Sequence, residues 1–144
     1  MKRALFVRLN RVANAVVRRL GLRRFRGADL LFLTTTGHKT GKQRTTPLLY
    51  GKDDDRWIVV ASNGGADWEP GWWLNLRAGS AGTVEVGGVR TPVSGAEITG
   101  PEREEWWRRL NDEVFDYESY QRSVRRRLSG RCARPGSAGR TARR

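Results

Sequence analysis

The sequence has one cysteine, Cys132, and one histidine, His38, among its 144 residues. A single cysteine rules out a disulfide framework, and no cluster of Cys and His has the spacing of metal ligands. His38, alone in a polar turn, argues against a metal site and against a Ser-His-Asp triad. No run approaches the ~20 apolar residues that span a bilayer, and the N-terminus lacks the uninterrupted apolar region of a signal peptide. We therefore expect a single-domain protein of the cytosol, soluble or peripheral to a membrane.

Acidic residues are absent from both ends of the chain. Residues 1–26 hold nine Lys or Arg and residues 122–144 hold nine Arg, with no Asp or Glu in either segment. The stretch 27–121 keeps 28 − 18 = 10 basic residues against all 15 acidic ones, a net charge of −5. The formal charge of +13 is thus terminal. Nucleic-acid binding is not favoured, because it needs basic residues across the folded surface with aromatic residues between them.

The N-terminal segment, "MKRALFVRLNRVANAVVRRLGLRRF", has helical periodicity. Arginines lie opposite an apolar stripe, and Gly21 is a suitable stop. The stripe consists of Leu5, Leu9, Val12, Val16 and Leu20. Two interpretations fit this pattern. The helix caps the core of the domain, or residues 1–24 form a basic amphipathic helix that lies in an anionic membrane interface.

After this segment the apolar period becomes that of strands. The runs "LLFLTTT", "RTTPLLYG" and "RWIVVASN" predict three strands, the second at an edge because of Pro47, and "TVEVGG" with "VRTPVSGAEI" predicts a hairpin through Gly87-Gly88. Helices are expected from Pro70, from Pro101 and over "DYESYQRSVRRRL". Turn-linked strands of this kind predict an α+β fold, a mainly antiparallel barrel with helices packed outside it. The tail from residue 129 is low in complexity and is expected to be disordered.

The stretch "GHKTGKQRTTPLLY" places three cations in a glycine-containing turn. It is not a Walker A loop, because only three residues separate Gly37 from Gly41 and Gln43 stands where a Ser or Thr should bind magnesium. The residues that follow alternate and include Pro47, which is typical of a strand and not of the helix that a P-loop opens. We interpret the stretch as a cationic turn between two strands that binds some other anion.

Three segments together resemble one known family. In order and spacing, "TTTGHKTGKQRTTPLLY", "VVASNGGADWEPGWWLNL" and "DYESYQ" are similar to the deazaflavin (coenzyme F420)-dependent nitroreductases, from about Leu31 to Gln121. The resemblance implies a split β-barrel and hydride transfer from reduced deazaflavin to quinones, enones or nitroaromatics. Together with the N-terminal periodicity and the composition of the tail, it predicts a basic amphipathic helix over 1–26, an F420-binding split barrel over 27–128 and a disordered basic tail over 129–144.

The resemblance also implies where the cofactor binds. Coenzyme F420 ends in a phospholactyl group and an oligoglutamate chain, for which Lys39, Lys42 and Arg44 are suitable charge-assisted donors. The glycines of "VVASNGG" allow backbone to approach a planar ring closely, and Trp72 matches the family's aromatic residue beside that ring. The expected cofactor-binding residues are Lys39, Thr40, Lys42, Arg44, Pro47, Ala61, Ser62, Asn63, Gly64, Gly65, Trp72 and Asn75. No metal is expected.

Tyr117 and Tyr120 are the expected catalytic residues. They are three residues apart on a predicted helix, so one face presents both hydroxyls. Either hydroxyl could protonate or polarise the acceptor as hydride arrives; the alternative is that both rings only pack. Val114 stands where relatives known for activating nitro prodrugs have a further tyrosine, so quinone or enone reduction is favoured over nitroreduction.

The C-terminus departs from the family pattern. Relatives continue into an apolar last strand, whereas this chain reads "LSGRCARPGSAGRTARR", so we expect that strand to be absent. Two alternatives to an enzyme therefore stay open. One is an F420-binding protein without turnover, and the other is a basic membrane- or nucleic-acid-associated protein.

Overall fold

The computed structural model describes residues 24–25, 28–128 and 130–135. The predicted N-terminal amphipathic helix and the end of the predicted tail lie outside the described residues. Arg24–Phe25, at the end of the predicted segment 1–26, is extended and pairs with Ala28 and Asp29. The described domain therefore starts with a short β-hairpin.

Eight strands form one antiparallel sheet. They are β1 (Arg24–Phe25), β2 (Ala28–Thr36), β3 (Gln43–Leu49), β4 (Gly51–Asp53), β5 (Arg56–Val60), β6 (Gly82–Val86), β7 (Val89–Glu97) and β8 (Gly130–Pro135). The main path runs β1-β2-β6-β7-β8-β5-β4, and β3 pairs with β2. The mainly antiparallel α+β prediction is confirmed. Among the described strands no ladder joins β3 to β4 or β5, so the sheet does not close into a complete hydrogen-bonded barrel.

Three helices accompany the sheet: α1 (Gly71–Arg77), α2 (Gly100–Glu113) and α3 (Tyr117–Ser123). The first turn of α2 holds a proline and Glu102, as the sequence predicts for a helix start. At the start of α3, a carboxylate oxygen of Asp116 accepts a hydrogen bond from the backbone N–H of Ser119 at 3.1 Å. None of the helices in the described part of the chain is long and apolar enough to cross a lipid bilayer.

Two hydrophobic clusters lie on the two faces of the sheet. Strand β5 contributes to both, because its side chains alternate: Val59 belongs to the first cluster, and Ile58 and Val60 belong to the second. Helix α1 packs in the first cluster through Trp72, Trp73 and Leu76, whereas α2 and α3 pack in the second. A Cβ added to Gly95 on β7 would lie 2.9 Å from the Cβ of Leu76, so the glycine lets α1 sit directly on the strand.

The expected loss of the last strand is wrong. Gly130–Pro135 forms β8, which pairs with β5 and with β7 and lies inside the sheet. Its polar composition is misleading, because ladder hydrogen bonds use backbone groups that every non-proline residue has. The buried side chain of Arg131 packs 4.5 Å from the ring of Trp73 and is paired with Glu69 and Glu97, at 3.3 and 3.2 Å. These partners offset the cost of burying its charge.

Candidate functional site

The cationic turn connects β2 to β3, as predicted. Its ends are closed by two backbone hydrogen bonds, from Gly37 N–H to the Lys42 carbonyl and from Gly41 N–H to the Gly37 carbonyl, both 2.8 Å long. The hydroxyl of Thr40 accepts a bond from the Lys42 N–H at 3.3 Å, so Thr40 shapes the turn from within. Lys39 and Lys42 are exposed. The turn therefore presents two ammonium groups to solvent on a short hydrogen-bonded frame.

Asn75 joins this turn to helix α1. Its side-chain oxygen accepts hydrogen bonds from the backbone N–H and the ring Nδ1 of His38, at 3.1 and 2.8 Å, and its amide nitrogen donates to the hydroxyl of Thr35 at 3.0 Å. Because that oxygen can only accept, the Nδ1 atom of His38 carries a proton. Asn75 and Thr35 are buried. The structure thus shows the predicted cofactor residue Asn75 as an anchor of the turn.

Arg44 and Pro47 lie on opposite faces of β3. Arg44 is paired with Thr35, and paired residues of an antiparallel ladder share a face. Since Thr35 bonds to Asn75, this is the face that α1 covers. Pro47, three positions further along, is paired with Phe32 on the other face. The guanidinium of Arg44 therefore extends on the side of the turn and α1, and the ring of Pro47 does not.

The segment after β5 has an unusual backbone. Asn63, Gly64 and Gly65 are consecutive and all have positive φ angles, of 49°, 63° and 83°. Glycine adopts such angles without steric cost, and asparagine is among the side chains that tolerate them. The side-chain amide of Asn63 donates to the carbonyl of Trp68 at 3.1 Å, which supports its conformation. The sequence "NGG" therefore fixes a sharp reversal, which is closed by hydrogen bonds from the Gly65 and Ala66 N–H groups to the Ser62 and Asn63 carbonyls and is exposed at Gly64.

Helix α1 connects this loop with the cationic turn. Trp72 is buried in the same cluster as Ala61, the residue that leads into the loop. Asn75 is one turn further along α1 and bonds to His38. The two segments that sequence reasoning assigned to opposite ends of one ligand are thus linked by a single short helix, which follows the loop in the chain and bonds to the turn.

Sequence reasoning missed Arg126. Its guanidinium donates hydrogen bonds to the carbonyls of Ala61, Ser62 and Ala66, at 2.9 to 3.3 Å, and so contacts the loop from the C-terminal segment. Burial lowers the pKa of Arg126, while the nearby carboxylate of Glu69 acts in the opposite direction. In the sequence this residue is the middle of the run "RRR", which reads as a solvated charge run.

The two predicted catalytic tyrosines lie in different surroundings. Tyr117 is 5% exposed, and its ring centroid lies 5.3 Å from that of Phe115 and 6.4 Å from that of Trp107. Burial raises the pKa of Tyr117 above its usual value of 10.0. Tyr120 is half-buried, with its centroid 5.2 Å from that of Phe115. The packing alternative fits Tyr117, whereas Tyr120 retains access to solvent.

The turn and the loop offer donors of the kind that F420 needs. No group of three or more His, Cys, Asp or Glu that could hold a metal ion occurs among residues 24–25, 28–128 and 130–135. Exposed cations on the turn match the phosphate and carboxylates of the cofactor's tail. The loop of positive-φ residues offers peptide groups to the ring end.

Comparison with known proteins agrees with this assignment. The family model described as F420H(2)-dependent quinone reductase matches residues 7–133. The F420H(2)-dependent quinone reductase Rv1261c of Mycobacterium tuberculosis (strain H37Rv) is 34% identical over 128 residues, which cover 84% of this chain and 86% of that relative. Among solved structures, an F420-H2 dependent reductase (FDR-A) gives a TM-score of 0.64 at 31% identity and covers 72% of this chain and 92% of its own. A second structure, described as a domain-swapped dimer, gives a TM-score of 0.65 at 29% identity and covers 85% and 96%.

The matched region contains the whole candidate site. Residues 7–133 include the turn, the "NGG" loop, α1, α3 and most of β8. The match therefore extends over the segments from which the site was assembled on physical grounds, and over the last strand that the sequence did not reveal. This chain belongs to the F420H(2)-dependent quinone reductase family, whose members are oxidoreductases.

Proposed function

We propose that this protein binds coenzyme F420 along helix α1 and reduces quinones with it. The observation that carries the proposal is that α1 is tied to both candidate subsites: its Asn75 bonds to His38 of the turn, and its Trp72 shares a hydrophobic cluster with Ala61 at the start of the loop. When bound, reduced F420 supplies a hydride. The chain's own residues hold the cofactor, orient the acceptor and supply a proton, so that a quinone leaves as its hydroquinone.

The turn holds the anionic tail in this proposal. Lys39, Lys42 and Arg44 are exposed, and no described ion pair occupies them. A charge-assisted hydrogen bond contributes roughly 1.5–3 kcal/mol when it is well placed. The hydrogen bonds of Asn75 and Thr40 pre-form the turn, which reduces the entropy lost when the tail binds.

The loop holds the ring end. Backbone N–H groups of residues 61–64 are the donors, since the Gly65 N–H already donates to the Ser62 carbonyl at 2.9 Å, and the absence of Cβ atoms at Gly64 and Gly65 leaves room for a flat ring. Trp72 is buried in the same hydrophobic cluster as Ala61, the residue that leads into the loop.

The acceptor lies on the side of α3. Tyr120 is the residue placed to donate a proton to the oxygen that becomes negative as hydride arrives. Enones develop negative charge on oxygen in the same way, so they are proposed as further acceptors. Nitroaromatics are proposed as poorer ones, because Val114 offers no hydroxyl.

Cofactor selectivity tests the proposed function. The purified full chain is mixed with reduced F420, NADPH or reduced FMN, each with the quinone menadione as acceptor. We expect menadione-dependent oxidation of reduced F420 only. Equal or faster oxidation of NADPH or reduced FMN would refute F420 as the cofactor, and F420 binding without turnover would support the alternative of a binding protein.

A second arm tests the turn. Lys42→Ala and Arg44→Ala should each weaken F420 binding about tenfold, or ~1.4 kcal/mol, and wild-type affinity should fall with salt. Lys52→Ala is the matched control, because Lys52 follows the far end of β3 from the turn. If both turn variants bind F420 with wild-type affinity, the tail binds elsewhere.

The basic residues at the N-terminus also bear on where the protein is found in the cell. We propose that the protein is cytoplasmic, where the basic residues 1–24 contact the anionic inner face of the membrane. This would bring the enzyme to lipid-soluble quinones.

A further inference from the structure

Arg126, in the C-terminal part of the chain, binds the candidate ring-binding loop. Its Nη1 donates to the Ala61 carbonyl at 2.9 Å, and its Nη2 donates to the Ser62 and Ala66 carbonyls, each at 3.1 Å. Its Nε adds a bond to the Ala66 carbonyl at 3.3 Å. One rigid, planar guanidinium thus binds three carbonyl oxygens. Without a cation at their centre these oxygens would repel each other.

This arrangement fixes the direction of the loop's N–H groups. In a trans peptide the C=O and the N–H point in opposite directions. Since the carbonyls of Ala61 and Ser62 point toward Arg126, the N–H groups of Ser62 and Asn63 point away from it. The bonds to Ser62 and Ala66 also enclose the positive-φ residues Asn63, Gly64 and Gly65, which are the part of the loop most able to change shape.

Helix α3 in turn fixes Arg126. The side chain of Gln121 donates to the Arg126 carbonyl at 3.0 Å and accepts from the Leu128 N–H at 2.7 Å. The neighbouring Arg125 N–H donates to a carboxylate oxygen of Asp67 at 2.8 Å, just beyond the loop. The helix that carries Tyr120 is therefore connected to the loop through Arg126.

We propose that Arg126 is a positioning residue for the cofactor. It holds the N–H groups of Ser62 and Asn63 in the orientation that binds the deazaflavin ring, and it fixes the position of this loop relative to α3 and Tyr120. The inference rests on the proposed function, because it needs F420 to bind at this loop. Arg126 itself does not touch the reacting atoms.

Variants of Arg126 separate positioning from general stability. Arg126→Ala removes the guanidinium, and Arg126→Lys keeps a charge but can satisfy fewer carbonyls at once. Arg127→Ala is the matched control, since Arg127 is the next residue, is exposed, and pairs with Glu104 instead of the loop. The variants are compared by thermal unfolding, by hydrogen exchange of peptides covering residues 61–68, and by F420 titration followed through deazaflavin fluorescence.

We expect faster exchange of the loop and at least a tenfold weaker F420 affinity in Arg126→Ala. An intermediate effect is expected in Arg126→Lys, and none in Arg127→Ala. Millimolar guanidinium should restore part of the F420 affinity of Arg126→Ala only. The KM for menadione at saturating F420 should change little. A variant with a generally loosened fold would instead change both the F420 affinity and the KM for menadione.

The outcomes separate the role of Arg126 from the proposed function. Wild-type F420 affinity in a folded Arg126→Ala, or in a folded Arg126→Lys if the alanine variant does not fold, overturns the positioning role. So does unchanged hydrogen exchange of the loop. A wild-type protein that gives no fluorescence change with F420 overturns the proposed function, and the cofactor part of this inference falls with it.

Discussion

At the scale of single residues, the two tyrosines of α3 should respond differently when their hydroxyls are removed. We expect Tyr120→Phe to lose turnover by about 100-fold with F420 affinity unchanged, because a positioned donor to a developing anion contributes on the order of 2–4 kcal/mol. Tyr117→Phe should keep most turnover, because Tyr117 is buried among aromatic rings. Steady-state kinetics with menadione measure both effects. Near-full turnover in both variants would leave water as the proton source.

The Tyr117 hydroxyl should also affect the stability of the folded protein at alkaline pH, and this effect is an independent check of its burial. Burial raises its pKa above 10.0, so the unfolded chain loses this proton before the folded protein does. The corresponding stability is complete below pH 10 and decreases above it, by at most about 1.4 kcal/mol per pH unit. Thermal unfolding between pH 9 and 11 should therefore show a shallower decline in Tyr117→Phe than in the wild type. Parallel curves would contradict the buried position of Tyr117.

The sequence assigned the turn cations and the "NGG" loop to one ligand, which stays a prediction, and it could not rank the residues within them. Asn75 and Trp72 were predicted to contact the cofactor. The structure shows that both are buried, Asn75 in hydrogen bonds to His38 and Thr35 and Trp72 in a hydrophobic cluster. Their part in cofactor binding stays a prediction. Polar residues that anchor a loop and polar residues that bind a ligand have the same signature in a sequence, because both need a hydrogen-bond partner and only the fold determines which one.

At the scale of elements, β8 should be indispensable. It lies between β5 and β7, so ending the chain after Leu128 leaves two strand edges unpaired and opens both hydrophobic clusters. We expect that variant to be insoluble or to unfold without a cooperative transition. A chain that ends after Pro135, the residue paired with Val93, keeps the ladder and should unfold within a few degrees of the full chain.

Circular dichroism during heating, together with F420 titration, checks this pair of truncations. A chain ending after Leu128 that still unfolds sharply and binds F420 would show that β8 is not needed. The strand escaped prediction because its side chains are small or charged. Its stability comes from backbone pairing with strands about 40 and 70 residues away, and from the contacts of Arg131 with Glu69, Glu97 and Trp73, none of which is local.

At the scale of the whole molecule, charge is divided between basic ends and a mildly acidic centre. We expect the full chain to co-sediment with anionic vesicles and to be released by high salt, because attraction to anionic lipid is screened by salt. Deleting residues 1–23, which spares β1, should abolish co-sedimentation and leave F420 affinity unchanged. Neutral vesicles are the control. A deletion that lowers the unfolding temperature strongly and prevents F420 binding would instead favour a helix that caps the core.

What the sequence determined by itself is the local chemistry. Alternating β-favouring residues, the prolines that open α1 and α2, the glycines of the turn and loop, and the position of charges each act within a few residues, so they can be identified without the fold. Only the tertiary structure decided that Asn75 anchors a turn 37 residues away, that Arg126 gathers carbonyls 60 to 65 residues away, and that a strand rich in arginine lies inside the sheet. The reason is physical. A charged side chain is stable in the interior only where the fold supplies its partners, and those partners are distant in the chain.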